Sequence, residues 1–464
     1  MSALDALLPS VLKKVTPTPR EEREIRETLA EVVQAVEAVT GGLDYTVAGS
    51  YTRGTWMTDK KEFDIFLLFP ESTSRETLEK KGLAFGAGVA RRLGGSWTIA
   101  YAEHPYTRAS YRGFLIDIVP AYKIADPAHL KSAVDRTPFH NRYLAEHFPP
   151  TLAPQVRLLK QFLKANGLYG SDTATLGFSG YLCELLMVNY RSFTALLRAA
   201  AAWEPGTVVD LANHAKAAFP GQPLVVIDPV DPKRNVAAVL SLVNFVRFSD
   251  LCRQFLKAPR RSFFFPPPFR ADHAGLGRRL ATRGTAMLGV RFARPKEIDD
   301  VLYPQLRRTA ARLANILREK EFLVMGQEVF ASPRDCLLLF EMETWSLPAV
   351  RKVVGPPVAV KKHAGQFLQK YRTARLWVEG DRWTAEIPRQ FPLAADALRH
   401  VLRRPHLLEL GVAPVVAQAL PKGFSLLTGP ALVQKAADPA LARFLHDYLE
   451  RRIRLPLPAG SRPR

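Results

Sequence analysis

The chain has 464 residues, which is enough for about two to four domains, and its 47% hydrophobic and 23% charged residues are ordinary for a globular protein. Lysine and arginine total 65 against 44 acidic residues, a net charge of +21. This excess favours a polyanionic partner, most commonly nucleic acid. A membrane surface is disfavoured, because no long stretch combines a basic face with a Trp/Phe face.

The three cysteines, Cys183, Cys252 and Cys336, lie far apart in apolar surroundings and form no Cys-x-x-Cys pair. This spacing indicates buried thiols in a reducing compartment. The N-terminus lacks the apolar core of a signal peptide, and no run of about 18 apolar residues predicts a membrane span. We therefore expect a cytoplasmic protein without a membrane segment.

The first predicted element is a helix over residues 20–39, for which Thr18 is the N-cap, Glu21 completes a capping box and Gly41 marks the end. Strands are expected at 44–48, 63–69, 97–103 and 114–122, a helix at 75–93, and a short helix at 51–57. This is a small mixed α/β domain that ends near residue 150, where two consecutive prolines interrupt the chain.

The next part, from about residue 154 to 257, is predicted to be mostly helical, with one helix ending at Asn166 and Gly167. The Phe- and Pro-rich segment 260–270 cannot continue a helix and predicts a domain boundary. Beyond it we expect strands at 286–295, 322–330 and 336–342, a helix at 302–320, a hairpin around Gly380 and a frayed, arginine-rich tail. The predicted domains are therefore 1–150, 151–262 and 263–464.

Two carboxylates, Glu62 and Asp64, lie two residues apart at the start of an apolar strand and therefore share one face of the sheet. Asp117 interrupts a second apolar strand, between two isoleucines. If the two strands are neighbours, the three carboxylates converge, and such an oxygen-rich set suits Mg²⁺. The alternative is that each acid pairs with a local base, such as the lysines just before Glu62.

A turn at Gly49 and Ser50 follows the first strand and offers a hydroxyl and backbone N–H groups to an anion. Arg53 could reach the same phosphates with its planar guanidinium. Such a turn alone is more often just a turn, but here a Glu-x-Asp pair on a buried strand follows it closely. The sequence has no G-x-x-x-x-G-K-[ST] or G-x-G-x-x-G motif, which disfavours ATPases and Rossmann enzymes.

The combination of GS-x-x-R-x-T-W, E-x-D and a later strand aspartate resembles the polymerase-β-like nucleotidyltransferase fold. Further segments are similar to the archaeal-type (class I) CCA-adding enzymes, namely YAEHPY (101–106), KSAVDRTPFH (131–140), VRLLKQFLKANGLYG (156–170), GFSGYLCELL (177–186), DPVDPKRNVAA (228–238) and LYPQL (302–306). The resemblance is dense from residue 20 to 310 and thin beyond 350. It implies an α+β multidomain protein with a nucleotidyltransferase catalytic head, a helical neck, and an α/β body and tail that grip the acceptor arm of tRNA.

The resemblance also implies roles for individual residues. Glu62, Asp64 and Asp117 match the carboxylates that bind the catalytic Mg²⁺. The residues that match those holding the nucleotide, ATP or CTP, are Ser50, Arg53, Thr137, His140, Lys160 and Tyr169, and Arg234 matches an arginine that helps to select the incoming base. One departure is Leu176, where the family commonly has an arginine just before the GFSG segment.

Local chemistry supports part of this assignment independently of the resemblance. Lys160 and Lys164 lie one helical turn apart and could face one anion, although we prefer a solvated position for Lys164. Arg234 is expected in a loop stiffened by two prolines, with an ordinary surface arginine as the alternative. His104, which precedes Pro105, is expected to be structural.

The expected reaction is the template-independent addition of C, C and A to the 3′ end of tRNA, in which the RNA 3′-hydroxyl attacks the α-phosphate and pyrophosphate leaves. The alternatives are a poly(A) or uridylyl transferase, a small-molecule nucleotidyltransferase, and a non-catalytic RNA-binding protein. The net charge of +21 disfavours the small-molecule enzyme, and the presence of all three carboxylates disfavours the non-catalytic protein. The oligomeric state is left open, with a homodimer among the alternatives.

Overall fold

The computed structural model describes residues 3–59, 61–101, 103–214 and 218–450. The chain folds into two compact units, one that ends at Pro267 and one that begins at Pro268. The tail predicted to be frayed lies, beyond Glu450, outside the described residues. Across the described ranges, every helix is too short or too polar to cross a membrane.

The sheet half of the first unit (residues 19–148) is built on five strands in the order β1-β2-β5-β4-β3, in which only β2 and β5 are parallel. The elements from the N-terminus to the end of this half are α1 Ala3–Val15, α2 Pro19–Thr40, β1 Tyr45–Ala48, β2 Glu62–Phe69, α3 Arg75–Arg92, β3 Ser96–Tyr101, β4 Pro105–Tyr111, β5 Phe114–Tyr122 and α4 Arg136–His147. One face of the sheet packs in a core with α2 and α3, through residues such as Ile25, Leu78 and Ile116. The polar side chains of the central strands lie on the opposite face.

Both ends of α2 are set by residues at the helix termini. Thr18 and Glu21 form the predicted capping box, and the helix ends at Gly41 in a left-handed conformation with φ 67°. The prediction of a short helix at 51–57 is wrong. The chain makes turns there, because Gly54 adopts φ 63° and the Thr55 N–H donates to the Ser50 carbonyl.

The helical half of the first unit (residues 153–267) has a core rich in phenylalanine. Its elements are α5 Ala153–Ala165, α6 Gly180–Tyr190, α7 Phe193–Ala200, β6 Thr207–Asp210, β7 Leu224–Asp228, β8 Asp231–Asn235 and α8 Leu242–Lys257. Phe264, in the segment predicted to interrupt the chain, is fully buried against Phe162, and Val11 of α1 joins the same core. The prediction that Arg234 lies in a loop is wrong, because Arg234 lies on β8, which pairs with β7.

The second unit contains two sheets, ordered β10-β11-β9-β15 and β12-β14-β13. Its elements are α9 His273–Thr282, β9 Ala286–Ala293, α10 Asp299–Glu319, β10 Val324–Ala331, β11 Asp335–Met342, β12 Val350–Pro357, α11 Lys361–Lys370, β13 Arg375–Glu379, β14 Arg382–Pro388, α12 Ala394–Leu402, α13 Pro414–Ala419, β15 Phe424–Thr428, α14 Gly429–Lys435 and α15 Pro439–Leu449. Helix α10 packs on the four-stranded sheet through Leu306 and Leu313. The hairpin predicted around Gly380 is confirmed as β13 and β14.

Candidate active site

The predicted carboxylates lie on β2 and β5, which are adjacent strands of the five-stranded sheet. Because β2 and β5 are parallel and in register, Asp64 lies directly opposite Asp117, and Glu62 precedes Asp64 on the same face. The alternate residues of β2, Phe63 and Ile65, point into the core on the opposite face. The expected adjacency of the two strands is therefore confirmed, and all three carboxylates belong to one face.

Asp117 is held by an arginine on the other neighbouring strand. Arg108 on β4 is its cross-strand partner, and the Arg108 Nε and Nη2 atoms donate to the two Asp117 oxygens at 2.7 Å each. This bidentate hydrogen bonding to Asp117 raises the pKa of Arg108 above its usual value. A base does pair with this carboxylate, but it comes from a strand that the sequence did not predict.

The carboxylate face fits a divalent cation in its chemistry. Within the described ranges, no group of three His, Cys, Asp or Glu side chains is close enough together to coordinate a metal ion as it stands. The donors are nevertheless oxygen atoms on two strands in register, the set that Mg²⁺ or Ca²⁺ prefers. The Arg108 guanidinium on Asp117 shows that this face accommodates a positive charge.

The turn after β1 lies beside Asp64. Ala48, the last residue of β1, pairs with Asp64, so Gly49 and Ser50 follow at the carboxylate. Gly49 has φ 94°, and a Cβ atom placed on it would lie 3.0 Å from Asp64 Oδ2. Only glycine therefore suits this position, and its absence of a side chain allows the Ser50 turn to approach the carboxylate.

Arg53 is fixed by partners outside its own turn. Its Nε donates to Glu184 of α6 at 2.8 Å, and its Nη1 donates to the Asn141 side chain of α4, also at 2.8 Å. Asn141 in turn donates to the carbonyl of Val47 in β1 at 3.2 Å. The guanidinium therefore sits, half-buried, where the sheet half and the helical half of the first unit meet.

Lys160 is buried rather than solvated. It is 3% exposed, and its Nζ donates to the Thr55 carbonyl and hydroxyl at 3.1 and 3.2 Å. A Cβ on Gly180 would lie 3.2 Å from the Tyr169 hydroxyl and 3.8 Å from Lys160 Nζ, so the glycine leaves room for both groups. Burial raises the pKa of Tyr169 well above its usual value, which keeps the phenol protonated as a donor.

Lys164, one turn further along α5, behaves differently. It pairs with the exposed Asp59 at 2.9 Å, and its ammonium lies 5.5 Å from the centre of the Tyr169 ring. Lys160 and Lys164 thus make separate contacts, and only Lys160 reaches the buried cluster around Thr55.

His140 and Arg234 meet at a third residue, Asp228. The fully buried Asp228 carboxylate lies 2.9 Å from His140 Nε2 and 2.7 Å from Arg234 Nη1, through the same oxygen. Burial alone would raise the pKa of Asp228, but the hydrogen bonds from His140 and Arg234 hold it below its usual value. The His140 ring also stacks on Tyr181, with centroids 4.1 Å apart.

Thr137 is half-buried near the start of α4, one turn before His140 and next to Arg136. Arg136 donates to Asp231 of β8 at 2.8 Å. Both Arg136 and Arg234 line a cleft of about 1060 Å³ within the first unit, together with Ser179 and Lys233. The carboxylates of β2 and β5 are not among the residues that line this cleft.

The predicted residues thus form two groups, which α4 connects. Ser50, Arg53 and Lys160 are joined through Thr55 and Glu184, with Tyr169 near Lys160, whereas His140 and Arg234 gather around Asp228. Asn141 contacts Arg53 in the first group, and its neighbour His140 belongs to the second.

Sequence reasoning missed Glu184, Asp228 and Arg108, which hold predicted residues in place. Glu184 had a visible signal, because it is a lone charge in the otherwise apolar segment GYLCELLMV. Arg108 and Asp228 had none, since their partners are brought to them only by the pairing of strands and the packing of α4.

Carboxylates on two strands in register beside a Gly-Ser turn define a nucleotidyltransferase. The family model described as a nucleotidyltransferase domain matches residues 25–140. The second domain of tRNA nucleotidyltransferase matches residues 154–265, and the C-terminal domain of the CCA-adding enzyme matches residues 283–429. The predicted α+β multidomain architecture with a polymerase-β-like head is confirmed.

The similarity to curated relatives extends over nearly the whole chain. The CCA-adding enzyme of Methanoregula boonei is 39% identical over 435 residues, which are 93% of each chain. Those of Methanosarcina acetivorans and Archaeoglobus fulgidus are 37% and 38% identical, cover 95% of this chain, and are themselves covered over 97% and 99%. The chain belongs to the CCA-adding enzyme family, and this membership implies the use of a divalent metal ion.

Proposed function

We propose that this protein adds C, C and A to the 3′ end of tRNA, using CTP and ATP and releasing pyrophosphate. The observation that carries the proposal is the register of Asp64 with Asp117 beside the Gly49 turn, in a chain that is similar to CCA-adding enzymes over nine-tenths of its length. The net charge of +21 is suited to an RNA substrate.

We assign the catalytic metal site to Glu62, Asp64 and Asp117, with Mg²⁺ as the ion. Magnesium bound there would lower the pKa of the attacking hydroxyl and stabilise the leaving pyrophosphate. The chain itself supplies carboxylate oxygens from two strands whose backbone is fixed by the sheet, so the ligands need little reorganisation.

The first group of residues is assigned to the triphosphate. Ser50 follows Gly49, which lies against Asp64, while Arg53 and Lys160 supply positive charge around Glu184. Tyr169, protonated because of its burial, can donate to a phosphate or sugar oxygen.

The second group is assigned to the sugar and base. Arg234 is fixed on Asp228 yet 37% exposed, and it lines the cleft together with Arg136. The other N–H donors of Arg234 can therefore face a base edge, while the contact of Nη1 with Asp228 fixes the orientation of the guanidinium. We assign Thr137 and His140, which lie one turn apart on α4, to the same substrate, because His140 shares Asp228 with Arg234.

The deciding experiment offers the full chain a tRNA lacking its 3′ end, Mg²⁺, and each of the four nucleotides alone and together. Sequencing the products should show CCA and nothing further with CTP plus ATP, and C additions alone with CTP. An open-ended A or U tail would instead assign a poly(A) or uridylyl transferase. The absence of any extension would refute nucleotidyl transfer altogether.

A further inference from the structure

Glu184 is a buried carboxylate to which the proposed chemistry gives no task. It is 1% exposed, and its neighbours on α6, Cys183 and Leu185, are fully buried and apolar. An ionised carboxylate in such surroundings is costly unless charged and hydrogen-bonded partners compensate for the lost water. The identity of those partners therefore indicates what Glu184 does.

The partners come from two other elements of the first unit, the turn after β1 and helix α5. Arg53 Nε donates to Glu184 Oε2 at 2.8 Å, and the Thr55 hydroxyl donates to Oε1 at 2.5 Å. The ammonium of Lys160 lies 3.9 Å from Oε1 and also donates to Thr55. Two cations, one from the turn after β1 and one from α5, thus meet at a single carboxylate of α6.

We propose that Glu184 is a positioning residue for nucleotidyl transfer, which fixes Arg53 and Lys160 in the orientation that holds the triphosphate. The Nε contact with Glu184 and the Nη1 contact with Asn141 together determine the plane of the Arg53 guanidinium. Long cationic side chains lose much rotamer entropy when they bind an anion, and prior fixation removes most of that cost. This inference rests on the proposed function, because it assigns the two cations to the triphosphate.

The first test is Glu184→Gln, which keeps the shape and one acceptor oxygen but removes the charge. We expect kcat for single-nucleotide addition to fall by about 10- to 100-fold, the range for losing a charged hydrogen-bond partner. KM for the nucleotide should change less than kcat, because removing the carboxylate also removes a negative charge near the triphosphate. Asp250→Asn, which neutralises another buried carboxylate of the same helical core, should leave kcat within about twofold.

A double-mutant cycle separates positioning from a general structural role. If Glu184 acts partly through Arg53, the kcat losses of Glu184→Gln and Arg53→Lys will combine in the double variant to clearly less than their product. Multiplied losses, or a Glu184→Gln enzyme within about twofold of the wild-type kcat, would overturn the inference.

A second pair of variants keeps the test decisive if Glu184→Gln does not fold. Thr55→Val removes the hydroxyl that joins Lys160 to Glu184, and it should show the same non-multiplying losses with Arg53→Lys. Wild-type enzyme that adds a tail other than CCA would refute the proposed specificity while leaving the cycle measurable. Wild-type enzyme that adds no nucleotide would overturn both proposals.

Discussion

Asp64 lies at the centre of the candidate site, opposite Asp117 and beside the glycine turn. We expect Asp64→Asn to lower nucleotide incorporation by about 100-fold or more, because an amide is a poor ligand for a hard divalent ion. Binding of tRNA, measured by filter binding, should stay unchanged. Asp44→Asn, which neutralises an exposed carboxylate of the same unit, is the matched control, and equal losses in the two variants would contradict the metal role.

Arg108 competes for the carboxylate that the metal requires. Removing its positive charge in Arg108→Gln should lower the Mg²⁺ concentration for half-maximal activity by about fivefold, equivalent to about 1 kcal/mol at this partly exposed site. Arg20→Gln removes an equal charge from an exposed helix pair and should not alter the Mg²⁺ requirement. A higher requirement in Arg108→Gln would show that the arginine supports metal binding instead.

At the scale of elements, the turn after β1 depends on a glycine for two separate reasons. Alanine at Gly49 would be strained at φ 94° and would also press on Asp64, whereas alanine at Gly41 would meet strain alone, since nothing lies within 4 Å of its Cβ. Both substitutions should lower the free energy of unfolding by about 1–2 kcal/mol. Only Gly49→Ala should also lower kcat, so equal kcat values in the two variants would contradict the close approach.

The β7–β8 hairpin and α4 are joined through Asp228, and this contact should depend on pH. Because the folded-state pKa of Asp228 is lowered below the usual 3.8, its stabilisation is present above pH 4 and is lost as the pH falls through the lowered value. Asp228→Asn should therefore unfold more easily than wild type at pH 7, by about 1–3 kcal/mol. Urea unfolding from pH 7 to pH 3 should show the difference shrinking, and a constant difference would refute the assignment.

The elements differ in how far the sequence could predict them. The caps of α2 at Thr18 and Gly41 are local signals, and the apolar strand around Asp117 is visible in composition, so both are correctly predicted. Strand β4, PYTRASY, and strand β8, DPKRN, lack an apolar run, so composition does not mark them, although each pairs with a strand that is near in sequence. The site follows the same rule, because the contact of Arg53 with Glu184 spans 131 residues and leaves no local pattern.

For the molecule as a whole, the net charge of +21 should make RNA binding far more sensitive to salt than nucleotide binding. Several phosphate contacts release several counterions, so tRNA affinity should fall by about 100-fold or more between roughly 50 and 200 mM salt. ATP presents a single triphosphate to a half-buried group of cations and should lose less than about tenfold over the same range. Both dissociation constants can be measured on the full chain under identical conditions, with labelled tRNA and labelled ATP. Parallel salt dependences would mean that the excess charge does not serve an extended RNA surface, and would favour a small-molecule substrate.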